Sequence, residues 1–213
     1  MSNSKFVPFK CVELFSGNAD ITKALNNKGL NCFSLDYDPD KNPDICCDVY
    51  KLTHLFFANV DFIWLSPDCT TYSIAQHGIH RGKGGKAVSD YARMCDENNS
   101  NLFELLKDMD IPFICENPRG HFRNMPFVED LSRVTVYYST YGAPYNKPTD
   151  LFSNCHELLK FFNTKVTKVK GHLDSVSYKN FLGRCKMPSL LIDDIVKAVS
   201  YAKEKKERGE YIY

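Results

Sequence analysis

The chain has 213 residues, 43% hydrophobic and 13% aromatic, enough to fill the core of one domain, or of a domain with a small appendage, that folds alone. Its net charge of +1 hides a tilt, since residues 1–78 hold 6 of the 27 Lys/Arg but 9 of the 26 Asp/Glu; a polyanion would meet the second half, although ordinary scatter of surface charge explains so mild a tilt equally well. Nine Cys, an odd number with no C-x-x-C pair and with Cys46 and Cys47 adjacent, suit neither a zinc site nor a disulfide framework, so no metal is expected and a reducing cytosol is.

Met-Ser-Asn-Ser-Lys at the start lacks the apolar run of a signal peptide, and no segment approaches the roughly 20 apolar residues of a membrane span. A soluble, cytoplasmic protein with no membrane partner is expected. Residues 9–15 read as a strand, broken by Ser16-Gly17-Asn18, and Ala19–Lys28 has a helical apolar pattern ending at Gly29. A second strand, Asn31–Leu35, runs into Asp36-Tyr37-Asp38-Pro39-Asp40, and a third, Val60–Leu65, into Ser66-Pro67-Asp68-Cys69. Gln76–Val88 is rich in Gly and Lys without periodicity and reads as a mobile loop. Asn101–Met109 reads as a helix, Pro112–Cys115 as a strand ending at Glu116-Asn117-Pro118, and Val134–Tyr138 as a strand. Residues 153–180 are polar with weak pattern, and Leu190–Lys206 is an amphipathic helix with a basic end.

Repeated strand–helix alternation implies an α/β fold with a Rossmann-like, doubly wound and mostly parallel sheet. The polar residues at the strand ends, 15–18, 36–38, 66–70 and 116–119, then share the carboxyl rim where ligands bind. Gly17 sits where backbone can approach a ligand closely, while Asp36 and Asp48 offer carboxylates for ribose hydroxyls and an adenine amino group. Tyr37 or Phe15 could stack on the ring. A turn glycine is more often plain loop geometry, and Asp38, Asp40 and Asp44 read as turn formers beside Pro39 and Pro43.

A lone cysteine is most often a small buried hydrophobe. Cys69 differs by position, just past an apolar strand in a turn stiffened by Pro67 and flanked by hydroxyls, on the rim that also carries Glu116.

These residues, in this order and spacing, resemble the cytosine-5 DNA methyltransferase family of compact phage and prophage type. The matching motifs are Glu13–Gly17, Asp36-Tyr37, Asp48, Pro67–Cys69, Glu116-Asn117, Tyr141-Gly142-Ala143-Pro144 and Arg184–Leu191, nearly the whole chain. The resemblance implies the class I S-adenosylmethionine-dependent methyltransferase fold with S-adenosylmethionine as cofactor, held by Phe15, Gly17, Asp36, Tyr37, Asp48, Val49 and Pro67. It implies that Cys69 attacks cytosine C6 as thiolate while Glu116, protonated or sharing a proton, holds N3, and that C5 takes the methyl group from the cofactor. A soft thiolate suits addition to C6, and an acid can accept the charge developing at N3; a nearby helix N-terminus would favour the thiolate, and desolvation would raise Glu116. Cytosine-containing DNA is the implied partner, reached by base flipping and met by Asn117, Arg119, Arg81, Lys83, Lys147 and Thr149.

The departures are equally specific. Asp68 stands where a proline usually precedes the cysteine and Ala19 where a second glycine is usual. Tyr145–Thr149 replaces an arginine-rich motif, so Lys147 can keep one cationic role while Thr149 cannot replace an arginine. Residues 1–152 are expected to form the catalytic and cofactor domain, 153–183 a small appendage in place of a target-recognition domain with relaxed or very short specificity, and 184–213 a helix packing back on the core. Competing readings are methylation of an exocyclic amino group, of which Ser66-Pro67 matches half a motif; the same chemistry on RNA or a nucleotide; and an inactive binding protein on the same fold.

Overall fold

The computed structural model describes residues 9–166, 173–174 and 186–210. The strands β1 (Lys10–Leu14), β2 (Asn31–Asp36), β3 (Ile45–Cys46), β4 (Phe62–Leu65), β5 (Phe113–Pro118), β6 (Ser132–Tyr137) and β8 (Pro148–Ser153) make one sheet in the order β3-β2-β1-β4-β5-β8-β6. The first five in that order are mutually parallel, and β8 runs antiparallel between β5 and β6. A two-stranded pair, β7 (Tyr145–Asn146) with β9 (Leu173–Asp174), lies apart from it.

Side chains alternate between the two faces of the sheet, and each face has its own core. Cys11, Phe62, Trp64, Ile114 and Leu151 pack beneath α1 (Asp20–Asn27), α4 (His156–Leu159) and α5 (Ser189–Glu207), which contributes Leu191, Ile195 and Val199. Val12, Leu14, Ile63, Leu65, Phe113 and Cys115 face the other way, beneath α2 (His54–Phe57) and α3 (Asp90–Asp108), which contributes Leu102, Phe103 and Leu106. Burial on both faces is why these strands read as continuous apolar runs. Strand order reverses between β1 and β4, so the crevice of a doubly wound sheet opens at their carboxyl ends. Among the described residues no helix is long and apolar enough to cross a membrane.

The structure corrects several expectations. The helix read from Asn101 begins at Asp90, where the Ser89 side chain accepts the Ala92 amide at 3.1 Å; the polar run Asp96-Glu97-Asn98-Asn99-Ser100 hid its first half. The strand read as Val134–Tyr138 spans Ser132–Tyr137. Strand β8 carries buried Thr149 and Asp150, the latter held by Arg123 Nε at 2.8 Å, and that polar content concealed it. Cys155, Leu158, Leu159 and Phe162 are buried in the core under α5, so the core extends past residue 152 to Phe162. Of the expected appendage, residues 167–172 and 175–183 lie outside the described residues, as do Arg184 and Cys185. The stretch Gln76–Val88, expected as a mobile loop, forms short turns at Ile74–Gln76 and Lys83–Gly85 and bridges at His77, Arg81 and Ala87.

Candidate active site

The turn after β1 is held open by three residues in the left-handed region, Phe15 at φ 58°, Gly17 at φ 50° and Ala19 at φ 55°. Asp36, at the end of β2, closes it: Oδ2 accepts the Gly17 amide at 2.7 Å and Oδ1 the Asp38 amide at 3.0 Å. The resulting cleft, of about 780 Å³, is lined by Phe15, Asp36, Tyr37, Asp48, Val49 and Tyr50 at one end. Ser66, Asp68 and Thr70 line the end nearer Cys69, and Tyr91, Met94, Cys95 and Asn98 of α3 form the far wall. Its size suits a nucleoside-bearing ligand.

Five of the seven cofactor residues expected from the sequence therefore meet at this cleft. Gly17 and Pro67 shape the turns beside it instead: the Gly17 amide bonds Asp36, and the buried Pro67 presents its carbonyl to Asn117 Nδ2 at 3.0 Å. Tyr37 is 75% exposed, whereas Phe15 packs on Tyr50 with ring centroids 5.2 Å apart. Tyr50 and the α3 wall were missed. Tyr91, Met94/Cys95 and Asn98 recur at helical spacing, a stripe that would have disclosed them had the helix start been recognised.

Cys69 is half-buried and caps the short turn Thr70–Tyr72. Burial first, then the charges of Glu116 and Asp68, push its thiol up to about 11, against the opposing pull of Lys147. The three-residue turn does not supply the thiolate bias expected of a helix terminus, and Cys69 rests as a thiol at neutral pH. Glu116 is 8% exposed in β5. Burial raises its carboxyl above the ordinary range, with the Lys147 ammonium and the Ser66 hydroxyl acting in the other direction. Among the described residues Glu116 Oε1, Asn117 Oδ1, Ser16 Oγ and His121 Nε2 are buried with no hydrogen-bond partner. Three of these four lie on the rim, and buried polar atoms without a partner are costly enough to mark where a ligand would bond.

Asp68 is tied down rather than free. Its Oδ1 accepts the Thr70 amide at 3.0 Å and hydroxyl at 2.7 Å, and its Oδ2 accepts the Tyr91 hydroxyl at 2.7 Å. Lys147 lies over the Tyr138 ring at 4.7 Å. Lys83 and Arg119 are exposed.

Two residues assigned to nucleic acid are buried rather than presented to it. Arg81, expected to touch phosphates, is 0% exposed and forks onto Asp96 with both bonds at 2.7 Å. Thr149 is fully buried in β8, its hydroxyl directed to the Lys147 carbonyl at 3.4 Å. Gly120 is required for close approach, since a Cβ there would stand 2.3 Å from the Tyr72 carbonyl oxygen.

The strand order with its inserted antiparallel strand is that of the Rossmann-like class I methyltransferases. This chain has a Rossmann-like α/β fold. No family model and no curated protein matches it. Among solved structures it is similar to the Entamoeba histolytica methyltransferase EhMeth, at 11% identity and TM-score 0.49, over 75% of this chain and 61% of that one. It is also similar to the S. pombe Dnmt2 methyltransferase, at 14% identity and TM-score 0.49, over 78% and 57% of the two chains. A Spodoptera frugiperda DNMT2 mutant gives 19% identity and TM-score 0.49 over 77% and 56%. The aligned part thus spans less than two thirds of each of these chains.

Proposed function

We propose that this chain transfers a methyl group to C5 of cytosine in DNA, with Cys69 as nucleophile and Glu116 as its acid partner. The observation that carries this reading is the pairing of a thiol and a buried carboxyl with a partnerless oxygen. They come from the ends of neighbouring strands β4 and β5, close enough that the Glu116 charge acts on Cys69.

The cleft fits S-adenosylmethionine: Phe15, Tyr37 and Tyr50 offer faces to an adenine, and Asp36 and Asp48 offer acceptors to ribose and amino groups. When bound there, it supplies an electrophilic methyl group. The residues of the chain do the rest. Glu116, raised by burial, donates to N3 and so makes C6 electrophilic, while Asn117 Oδ1 is free to accept from the exocyclic amine. Lys147 opposes the upward shift of Cys69 and favours thiolate as C6 is attacked. Exposed Lys83 and Arg119 meet backbone phosphates. Such an enzyme works inside the cell, where its substrate is.

The test is incubation with labelled S-adenosylmethionine and mixed-sequence DNA, and in parallel RNA, beside Cys69→Ala, with the product base identified by mass spectrometry. Appearance of 5-methylcytosine in DNA and its loss in the mutant supports the reading. Transfer only to RNA replaces the substrate, and cofactor binding without transfer makes the chain a binding protein on this fold.

A further inference from the structure

The chemistry proposed above leaves unused Arg81, a heavily bonded side chain among the described residues. The buried Arg81 guanidinium donates from Nε to the Thr71 carbonyl at 3.0 Å and from Nη2 to the Thr71 hydroxyl at 3.1 Å, two residues beyond Cys69. It also lies over the Tyr72 ring at 4.4 Å and forks onto Asp96 of α3. A buried guanidinium is costly unless fully paired, and this one spends its donors on the turn that carries Cys69.

The same turn is wired to the cleft. The Tyr72 hydroxyl donates to Asp96 Oδ1 at 2.9 Å and accepts from Asn99 Nδ2 at 2.9 Å. Asn99 Oδ1 in turn accepts the Tyr50 hydroxyl at 3.1 Å, and Tyr50 lines the cleft against Phe15. An unbroken chain of hydrogen bonds therefore joins the cleft wall, through α3, to the turn of the nucleophile.

We propose that Arg81 and Tyr72 are positioning residues for Cys69, and that the Tyr50–Asn99–Tyr72 chain makes the placement of Cys69 depend on what occupies the cleft. This rests on the reading of the cleft as the S-adenosylmethionine site. Fixing the Tyr50 hydroxyl by an occupant fixes Asn99 and Tyr72 behind it, so the thiol is held in one orientation only when the methyl donor is in place.

The test reads the thiol rather than turnover. Alkylation of Cys69 by iodoacetamide is followed by peptide mass spectrometry at one pH, with and without saturating S-adenosylmethionine or S-adenosylhomocysteine, and cofactor affinity is measured by calorimetry. In the unmodified protein occupancy changes the alkylation rate about tenfold, a coupling of ordinary size. Tyr72→Phe keeps the ring under Arg81 and removes only the hydroxyl that links it to Asn99 and Asp96; affinity stays within about twofold while the cofactor effect shrinks to about twofold or less. Asn99→Leu cuts the chain on its other side and is expected to give the same result, so that one well-folded variant of the two suffices for the test. An undiminished cofactor effect in both folded variants means steric cover alone and overturns the coupling, as does an unmodified protein that binds cofactor with no change in rate. Failure of the unmodified protein to bind either cofactor form overturns the cleft reading, and the coupling with it.

Discussion

Asp36 and Glu116 end two strands of one sheet and are almost equally buried, at 7% and 8% exposure, yet they are used in opposite ways. Asp36 spends one acceptor site of each oxygen on the Gly17 and Asp38 amides, which shapes the turn and leaves part of its capacity for a ligand. Glu116 leaves Oε1 buried without a partner. Burial alone does not separate scaffold from site; the unspent hydrogen-bonding capacity does.

Substitution of both residues breaks this comparison most directly. Glu116→Gln is expected to lower kcat by about 10²–10³ with cofactor affinity within about twofold, as for loss of one preorganised donor to a developing charge. Asp36→Asn is expected to weaken cofactor binding and lower stability by about 1–3 kcal/mol, since one amide oxygen cannot serve both backbone donors. Single-turnover rates, calorimetry and urea melts together check the pair; equal effects of the two variants on both properties would dissolve the distinction.

Glu13 sharpens it. This β1 carboxylate is buried and accepts the Thr22 amide at 2.7 Å, yet burial still pushes it up to about 7 from 4.5. A folded acid with a raised pKa binds more protons than the unfolded chain, so stability falls as pH rises from 4.5 to about 7 and stays reduced above it. Glu116, raised in the same direction, adds to this loss. Glu13→Gln is expected to raise the urea midpoint at pH 8 and leave it nearly unchanged at pH 4.5. A variant less stable at both values would show that the anionic form is needed at the start of α1.

Two smaller effects come from the departures at Asp68 and Ala19. Asp68 raises the Cys69 thiol, so Asp68→Asn should move the alkylation midpoint down from about 11 by a fraction of a unit. An upward move would mean that its bonds to Thr70 and Tyr91 matter more than its charge. Ala19 sits at φ 55°, where a Cβ costs about 1–2 kcal/mol, and Ala19→Gly should raise Tm by a few degrees in calorimetry. No gain would mean that the buried methyl offsets the strain.

Much of this was legible in the sequence. The apolar runs β1, β2, β4 and β5 are buried on both faces and announce themselves, and each ends in the polar residues that form the rim. What stayed hidden was polar inside the fold. Strand β8 carries Thr149 and Asp150 inward, and the first half of α3 presents Asp96 and Asn99 to a network rather than to a core. Arg81 illustrates the same limit: in a Gly- and Lys-rich stretch an arginine reads as solvated, and only the contacts to Thr71, Tyr72 and Asp96 reveal it as interior. Periodicity reports burial of apolar groups, and it is silent where burial is achieved by pairing polar ones.

The insertion of β8 between β5 and β6 has a consequence for how the chain assembles. Residues 113–118 and 132–137 are both made before 148–153, and neither has its neighbour until that last strand arrives. During synthesis the outer edge of the parallel sheet stands open, with unpaired amides and carbonyls along β5, for the whole interval in which residues 119–147 emerge. A chain cut short before Pro148 keeps that edge permanently, and such edges recruit other strands. The late strand that completes the sheet is thus also the one that protects the nascent protein from association.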